Sequence, residues 1–193
     1  MRNIQILSVV LLFLGSYSCK EAKKETKGTM EAVEAMAEEI NNEVKTLKFP
    51  LEPKSDSNVK GEVSFTEENG TVSMKASLSG LIPGEHAVHI HEKADCSSAD
   101  GKSTGGHWNP TFSPHGEWGS TKGYHRGDIG NFTADAQGNA TIEFSTDEWC
   151  LGCSDDTKNL MGKAVIVHQG ADDFVTQPTG DAGGRISCGG IIE

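Results

Sequence analysis

The sequence predicts an all-β domain of the sandwich or barrel type, preceded by an export leader and a short amphipathic helix. Short stretches of alternating apolar and polar residues recur from residue 58 onward, separated by turns rich in Gly, Asp and Asn. Two connections between these stretches are too long to be turns, and long loops in a compact domain are usually functional. At 193 residues the chain can bury one sizeable core, so we expect one domain.

Residues 1–18 have the composition of a signal peptide. A basic start, Met1-Arg2, precedes the apolar run Ile4–Leu14, which is too short to span a bilayer as a permanent helix. Cys19 stands where a bacterial lipoprotein signal places its acylated cysteine, although residues 16 and 17 depart from the usual pattern, and ordinary cleavage near Ser18 is the alternative. Removing Cys19 from five cysteines leaves four for pairing in an oxidising compartment. We therefore expect a lipid anchor at Cys19 and a location in the periplasm or elsewhere in the cell envelope.

Residues 19–53 are predicted to form a polar tether followed by a helix. Lys20–Lys27 carries no apolar pattern and cannot fold alone. Beyond it, apolar residues recur at the three- and four-residue spacing of an amphipathic helix: Met30, Val33, Ala37, Ile40, Val44 and Leu47. Pro50 and Pro53 would end this helix, so the β-domain is expected to span residues 54–193. Both a homodimeric coiled coil and a stalk or packed helix fit, and we favour the second because the pattern spans fewer than three heptads.

The β-domain opens with a predicted hairpin. Alternation runs through Val59–Thr66, stops at Asn69-Gly70 and resumes through Val72–Leu78, and an Asn-Gly turn between alternating runs is the strongest short-range hairpin signal. Further alternating stretches cover residues 87–90, 131–134, 140–144, 164–168 and 185–188. The two long connections, residues 92–127 and 170–184, contain few aliphatic residues, so metal or disulfide bonds are expected to hold them.

All seven histidines lie between residues 86 and 168, a clustering that core packing explains poorly. His89 and His91 share one face of a strand, because side chains two residues apart point the same way, and this suits two ligands of one metal. A single loop supplies three imidazoles and a carboxylate, a set suited to tetrahedral zinc: His107, His115, His125 and Asp128.

Two other features limit the function. The net charge of −11 and the lack of a basic stripe exclude nucleic acid as a partner. Cys150 and Cys153 could form a redox pair, half of a zinc site or a local disulfide. We prefer the local disulfide because the sequence has no second Cys-x-x-Cys to complete a four-thiolate zinc site.

Several motifs occur in a fixed order: Gly84–Glu92 (GEHAVHIHE), Gly106–Pro110 (GHWNP), His115-Gly116, His125–Asn131 (HRGDIGN), Val167-His168 and Gly180–Gly189 (GDAGGRISCG). Through them the chain resembles the copper/zinc superoxide dismutases over roughly residues 58–193. The resemblance implies an eight-stranded Greek-key β-barrel with long metal-binding and electrostatic loops. It also implies dismutation of superoxide to dioxygen and hydrogen peroxide.

The resemblance implies one copper and one zinc per chain. Copper would be held by His89, His91, His107 and His168, and zinc by His107, His115, His125 and Asp128. His107 would then be a shared imidazolate that accepts a proton during catalysis.

Further roles follow from the same resemblance. Arg185 would attract the anionic substrate, and Asp172 would hydrogen-bond the free nitrogens of His89 and His115. Thr179 would narrow the channel to copper, Cys96 and Cys188 would form a disulfide, and His86 would be structural rather than a ligand.

Two alternatives stay open at this level. A non-catalytic copper/zinc-binding lipoprotein would be indicated by loss of a copper ligand or of Arg185, and all these positions are filled. An adhesion lipoprotein on the same sandwich would leave the histidines without a purpose.

Overall fold

The computed structural model describes residues 44–192, and within them the predicted all-β fold is confirmed. Eight antiparallel strands and one short 3-10 helix, Lys102–Thr104, make up this part of the chain. The strands are β1 Lys45–Pro53, β2 Lys60–Glu68, β3 Thr71–Ser79, β4 Gly84–His91, β5 Gly130–Ala134, β6 Ala140–Thr146, β7 Ala164–His168 and β8 Arg185–Gly190. Their order is β5-β4-β7-β8-β1-β2-β3-β6, a nearly closed barrel in which β4 lies beside β7 and β1 beside β8.

The predicted hairpin forms as β2 and β3. Asn69 and Gly70 both have positive φ angles, 51° and 74°, which suits a tight turn that matches the twist of the two strands. The strands pair from Glu68↔Thr71 to Lys60↔Ser79 without a shift. The apolar residues of both strands face the barrel interior, as their alternation predicts.

Residues 45–53 differ from the prediction, because they form strand β1 and not the end of a helix. Strand β1 pairs with β2 along most of its length and with β8 at its end, and it buries Phe49 and Leu51 in the core. Leu47 fits the helical spacing from Val44, but Leu47, Phe49 and Leu51 also alternate, and two neighbouring strand edges favour the extended form. The predicted start of the β-domain at residue 54 is therefore wrong, and the barrel includes β1.

Other predictions for the N-terminus lie outside the described residues. They are the signal peptide at residues 1–18, the anchor at Cys19, the polar tether and the helix before residue 44. Within residues 44–192, no helix is long and apolar enough to cross a membrane.

The barrel core and the histidines lie on opposite faces of the same strands. Val88 and Ile90 of β4, with Val165 and Val167 of β7, pack into the main core. Because strand side chains alternate, His89 of β4 lies on the outer face. The loops 92–129 and 169–184 follow β4 and β7 and cover this face.

Two disulfides are present. Cys96–Cys188 ties the loop after β4 to β8, confirming the pairing that the family resemblance implied. Cys150–Cys153 closes a local loop between β6 and β7, confirming the preferred interpretation of that pair.

Candidate metal centre

The first cluster joins four histidines from three parts of the chain. His89 and His91 come from β4, His168 ends the neighbouring β7, and His107 is held beside His91 by an isolated bridge between the two backbones. All four are buried, and one ring nitrogen from each lies within 4.8 Å of the others. The structure thus assembles the four residues that the sequence assigned to copper.

The second cluster forms within the loop between β4 and β5. Its members are His107, His115, His125 and Asp128, all buried, with one ligand atom of each within 4.8 Å of the others. His107 belongs to both clusters, so its ring separates two groups of potential ligand atoms. This arrangement matches the predicted sharing of His107.

Hydrogen bonds of the first cluster turn one nitrogen of each ring inward. His91 Nδ1 donates to Gly105 O at 3.0 Å, and His168 Nδ1 lies 3.4 Å from Gly183 O. Their Nε2 atoms face each other at 3.4 Å. His89 Nε2 is bound to Asp172, which leaves Nδ1 as the inward nitrogen. These three rings therefore each have a defined tautomer with a free nitrogen at the centre.

Burial keeps the rings of His91 and His168 neutral. Burial and the nearby His107, His168 and Arg185 lower the pKa of His91 well below its ordinary value. Burial and the nearby His89 and His107 do the same to the pKa of His168. A neutral imidazole is the form that binds a metal, so the cluster is ready to accept a cation.

Asp128 supplies the charge of the second cluster. Its carboxylate accepts from His107 Nδ1 and His115 Nδ1, both at 2.9 Å, and lies 3.3 Å from His125 Nδ1. Burial alone would raise the pKa of Asp128, but the hydrogen bonds from His107 and His115 and the nearby His125 outweigh burial and hold the pKa well below its usual range. The His125 backbone N–H also donates to this carboxylate at 2.8 Å. The carboxylate is therefore ionised.

A second carboxylate, Asp172, connects the two clusters. Its oxygens lie 2.8 Å from His89 Nε2 and 2.9 Å from His115 Nε2, and its side chain is fully buried. Gly180 passes so close that a Cβ there would collide with the Asp172 carboxylate and with His115, and its φ of 69° also favours glycine. The structure thus places Asp172 as the sequence predicted.

His115 lies between the two carboxylates. Burial alone would lower the pKa of His115, but its hydrogen bonds to Asp128 and Asp172 outweigh burial and raise the pKa to about 9. Burial lowers the pKa of His107 to about 4, although its bond to Asp128 opposes this. Without metal, these surroundings therefore favour the protonated form of His115 and the neutral form of His107.

Arg185 begins β8 beside the first cluster. Its Nη1 donates to Gly101 O at 2.9 Å and to Thr104 Oγ1 at 3.0 Å. The same hydroxyl lies 3.4 Å from His91 Nδ1, so it links the guanidinium to a ring of the cluster. Sequence reasoning missed Thr104, because a threonine in a Gly- and Ser-rich loop carries no local signal of burial.

Two further residues singled out in the sequence are His86 and Thr179. His86 lies outside both clusters, with its nitrogens 3.0 Å from His168 O and 2.8 Å from Ile82 O, in agreement with a structural role. Thr179 is half-buried in the loop before β8, and its channel-narrowing role stays a prediction.

The donor atoms fit copper and zinc. Among residues 44–192, the buried nitrogens His89 Nδ1, His107 Nε2 and His125 Nδ1 have no hydrogen-bond partner, and a buried polar atom without a partner is costly. A cation in each cluster would satisfy all three. Four imidazoles suit copper, and three imidazoles with one carboxylate suit tetrahedral zinc.

Comparison with known proteins agrees with this geometry. Residues 59–191 match the family described as "Copper/zinc superoxide dismutase (SODC)". A curated relative from Caulobacter vibrioides, "Superoxide dismutase [Cu-Zn]", is 38% identical over 135 residues, which cover 68% of this chain and 77% of the relative.

Solved structures resemble the barrel closely. A SOD-like protein from Bacillus subtilis has a TM-score of 0.67 at 29% identity, covering 75% of this chain and 97% of that one. A double mutant of a SOD-like protein from the same organism, with a tyrosine and a proline replaced by histidine, scores 0.67 at 31% identity and covers 76% and 97%. The clock protein EA4 scores 0.65 at 33% identity and covers 79% and 96%.

Proposed function

This chain belongs to the copper/zinc superoxide dismutase family, and from that premise we propose that it converts superoxide into dioxygen and hydrogen peroxide. The observation that carries the proposal is the complete double cluster. Four buried histidines meet at one centre, and His107 is shared with a second centre that contains a carboxylate.

Each metal would have a distinct task. Copper, when bound, would supply one-electron redox chemistry, while zinc, which has no redox chemistry, would be held by His107, His115, His125 and Asp128 and would order the loop. Dismutation joins two superoxide anions and two protons to give one dioxygen and one hydrogen peroxide, so the chain must also handle protons.

His107 is placed to handle a proton. Its Nδ1 faces Asp128, and its Nε2 is buried without a hydrogen-bond partner among the described residues. Because Nδ1 is directed at Asp128, Nε2 is the ring nitrogen left to take up a proton and give it away. A ring nitrogen that alternately gains and loses a proton beside the substrate would serve both halves of the reaction.

Arg185 is placed to attract the anion. The chain as a whole carries a net charge of −11, which repels superoxide. Screening limits that repulsion to about 8 Å at physiological salt, so a local cation can dominate near the cluster. Gly101 O and Thr104 Oγ1 fix the guanidinium, which stabilises its position without neutralising its charge.

The fold alone does not establish catalysis, because SOD-like proteins and a clock protein share it. The second candidate function is therefore a copper/zinc-binding protein without activity. The complete ligand set, together with Arg185 beside it, favours the enzyme.

The test loads the purified chain with copper and zinc and measures metal content and superoxide decay on the same samples. The enzyme should bind one copper and one zinc and remove superoxide faster than an equal concentration of free copper. Stoichiometric metal without faster decay would indicate the metal-binding alternative.

We also propose that the enzyme acts in the cell envelope, anchored through Cys19. Two disulfides among the described residues suit an oxidising compartment. A Cys19→Ser variant should leave the membrane fraction for the soluble fraction of the envelope. Unchanged membrane association would contradict the anchor.

A further inference from the structure

The zinc ligand His125 has neighbours on both sides that bind one carboxylate from another part of the chain. The Tyr124 hydroxyl lies 2.9 Å from each oxygen of Glu148, and Arg126 Nη1 forms an ion pair with the same carboxylate. Glu148 follows β6, in the loop between β6 and β7. One side chain of the barrel therefore holds the residues that precede and follow His125.

Trp149 adds a second attachment. Its indole N–H donates to Arg126 O at 2.9 Å, and the residue is 1% exposed. Its ring lies 5.7 Å from Trp118, which in turn lies 5.0 Å from Tyr124. Trp118 and Tyr124 belong to the zinc-binding loop, so aromatic packing joins this loop to the core at the same place.

The loop that carries Glu148 and Trp149 is itself held in place by a disulfide and by side-chain hydrogen bonds. The disulfide Cys150–Cys153 directly follows Trp149. The Asn159 side chain accepts from Gly152 N and Met161 N, both at 3.0 Å, and donates to Cys153 O at 3.1 Å. Glu148 and Trp149 thus project from a fixed support.

We propose that Glu148 and Trp149 clamp Tyr124 and Arg126 and so position the zinc ligand His125, which slows the loss of zinc. The inference rests on the proposed function, because it requires zinc in the second cluster. Glu148 is a positioning residue and not a ligand, since it contacts the residues beside His125.

The effect is specific for zinc for a structural reason. Release of zinc would require His125 to move away, and His125 lies between the two clamped residues, with Asp128 two residues after Arg126. Copper would be held largely by His89, His91 and His168, which lie on strands β4 and β7. Loosening the clamp should leave these three ligands in place.

The clamp also supplies a counterion to a half-buried cation, Arg126. Arg126 is half-buried, and its Nε has no hydrogen-bond partner among residues 44–192, so Glu148 neutralises a charge that is partly removed from water. Glu148→Gln would leave that charge without its counterion while keeping the size of the side chain. The change is therefore expected to move Arg126 and the adjacent His125.

The experiment measures zinc and copper release from the fully loaded chain into an excess of a chromogenic chelator. Glu148→Gln is compared with wild type and with Glu143→Gln, which removes an exposed carboxylate that pairs with Lys75 on the barrel surface. Zinc release from Glu148→Gln should be about tenfold faster, the lower end of the effect of residues that support metal ligands. Zinc release from Glu143→Gln and copper release from both variants should match wild type.

A second variant guards against misfolding of the first. Tyr124→Phe removes one hydroxyl, and zinc release should be about fivefold faster, as expected for one lost hydrogen bond. Wild-type zinc release in both variants would overturn the inference, as would equal acceleration of zinc and copper release. A wild-type chain that takes up no zinc would instead contradict the proposed function, and metal content before release distinguishes the two failures.

Discussion

Asp172 touches one ligand of each cluster, and its replacement by asparagine is expected to lower the affinity for both metals together. The carboxylate accepts hydrogen bonds from His89 Nε2 at 2.8 Å, His115 Nε2 at 2.9 Å and Phe174 N at 2.7 Å. An asparagine has one oxygen, so its amide nitrogen must face one of the two histidines. That histidine would either lose its bond or turn its proton toward the metal.

The magnitude follows from what is lost. Removing a partner that orients a metal ligand costs 10–100-fold in affinity, or about 1.4–2.7 kcal/mol. Because Asp172 supports a copper ligand and a zinc ligand, Asp172→Asn should lower the binding affinity for each metal by roughly this amount. Asp173→Asn is the matched control, since Asp173 is exposed and its carboxylate binds the backbone of Val175 and Thr176.

The assay titrates each metal separately against a chelator of known affinity. Copper and zinc should both bind more weakly to Asp172→Asn, while Asp173→Asn should match wild type. Wild-type affinity for both metals in Asp172→Asn would refute the bridging role, and an equal loss in Asp173→Asn would show that the loop is merely sensitive to charge.

Three further predictions concern pH, charge and the N-terminal strand. Burial lowers the pKa of His107 to about 4 and those of His91 and His168 well below normal, so the unfolded metal-free chain binds protons that the folded chain excludes. The melting temperature of the metal-free chain, followed by circular dichroism, should fall as the pH is lowered from about 7 to about 4. The raised pKa of His115 adds stability that is lost only as the pH rises from about 6.5 to about 9, above this window, so a flat profile between pH 7 and pH 4 would contradict the expected sign. Arg185→Ala should retain its metals but remove superoxide roughly tenfold more slowly and with weaker salt dependence, measured by stopped flow; an unchanged rate would exclude a role for its charge. A chain that begins at residue 54 should fail to fold, because it loses β1 and the burial of Phe49 and Leu51, about 1.5–3 kcal/mol each. A chain that begins at Val44 is the control, and equal melting temperatures would show that β1 is dispensable.

The sequence predicted the elements whose signals are local. The β2–β3 hairpin follows from alternation around Asn69-Gly70, and the two histidines of β4 share a face because their spacing is two. Strand β1 was not predicted because Leu47 and its neighbours fit both the helical and the strand period. Only the pairing with the partner strands decides between the two.

Contacts between distant segments could not be predicted from these residues alone. Glu148 lies 22 residues after Arg126 in the chain, and no spacing rule connects a glutamate after one strand with an arginine in a metal-binding loop. Thr104 was not predicted for the same reason, since its contact with Arg185 depends on how the loop folds back. The assignment of the metal ligands depended on the complete set of motifs and on their order along the chain.

The most direct test compares superoxide removal by the wild-type chain and a His107→Ala variant, with copper and zinc determined on the same samples. His107 belongs to both clusters, so its loss removes the bridge while leaving three potential ligands in each. The wild type should carry one copper and one zinc and remove superoxide catalytically, and activity per bound copper should collapse in the variant. A variant that keeps wild-type activity per copper would contradict dismutation at a histidine-bridged pair of metals.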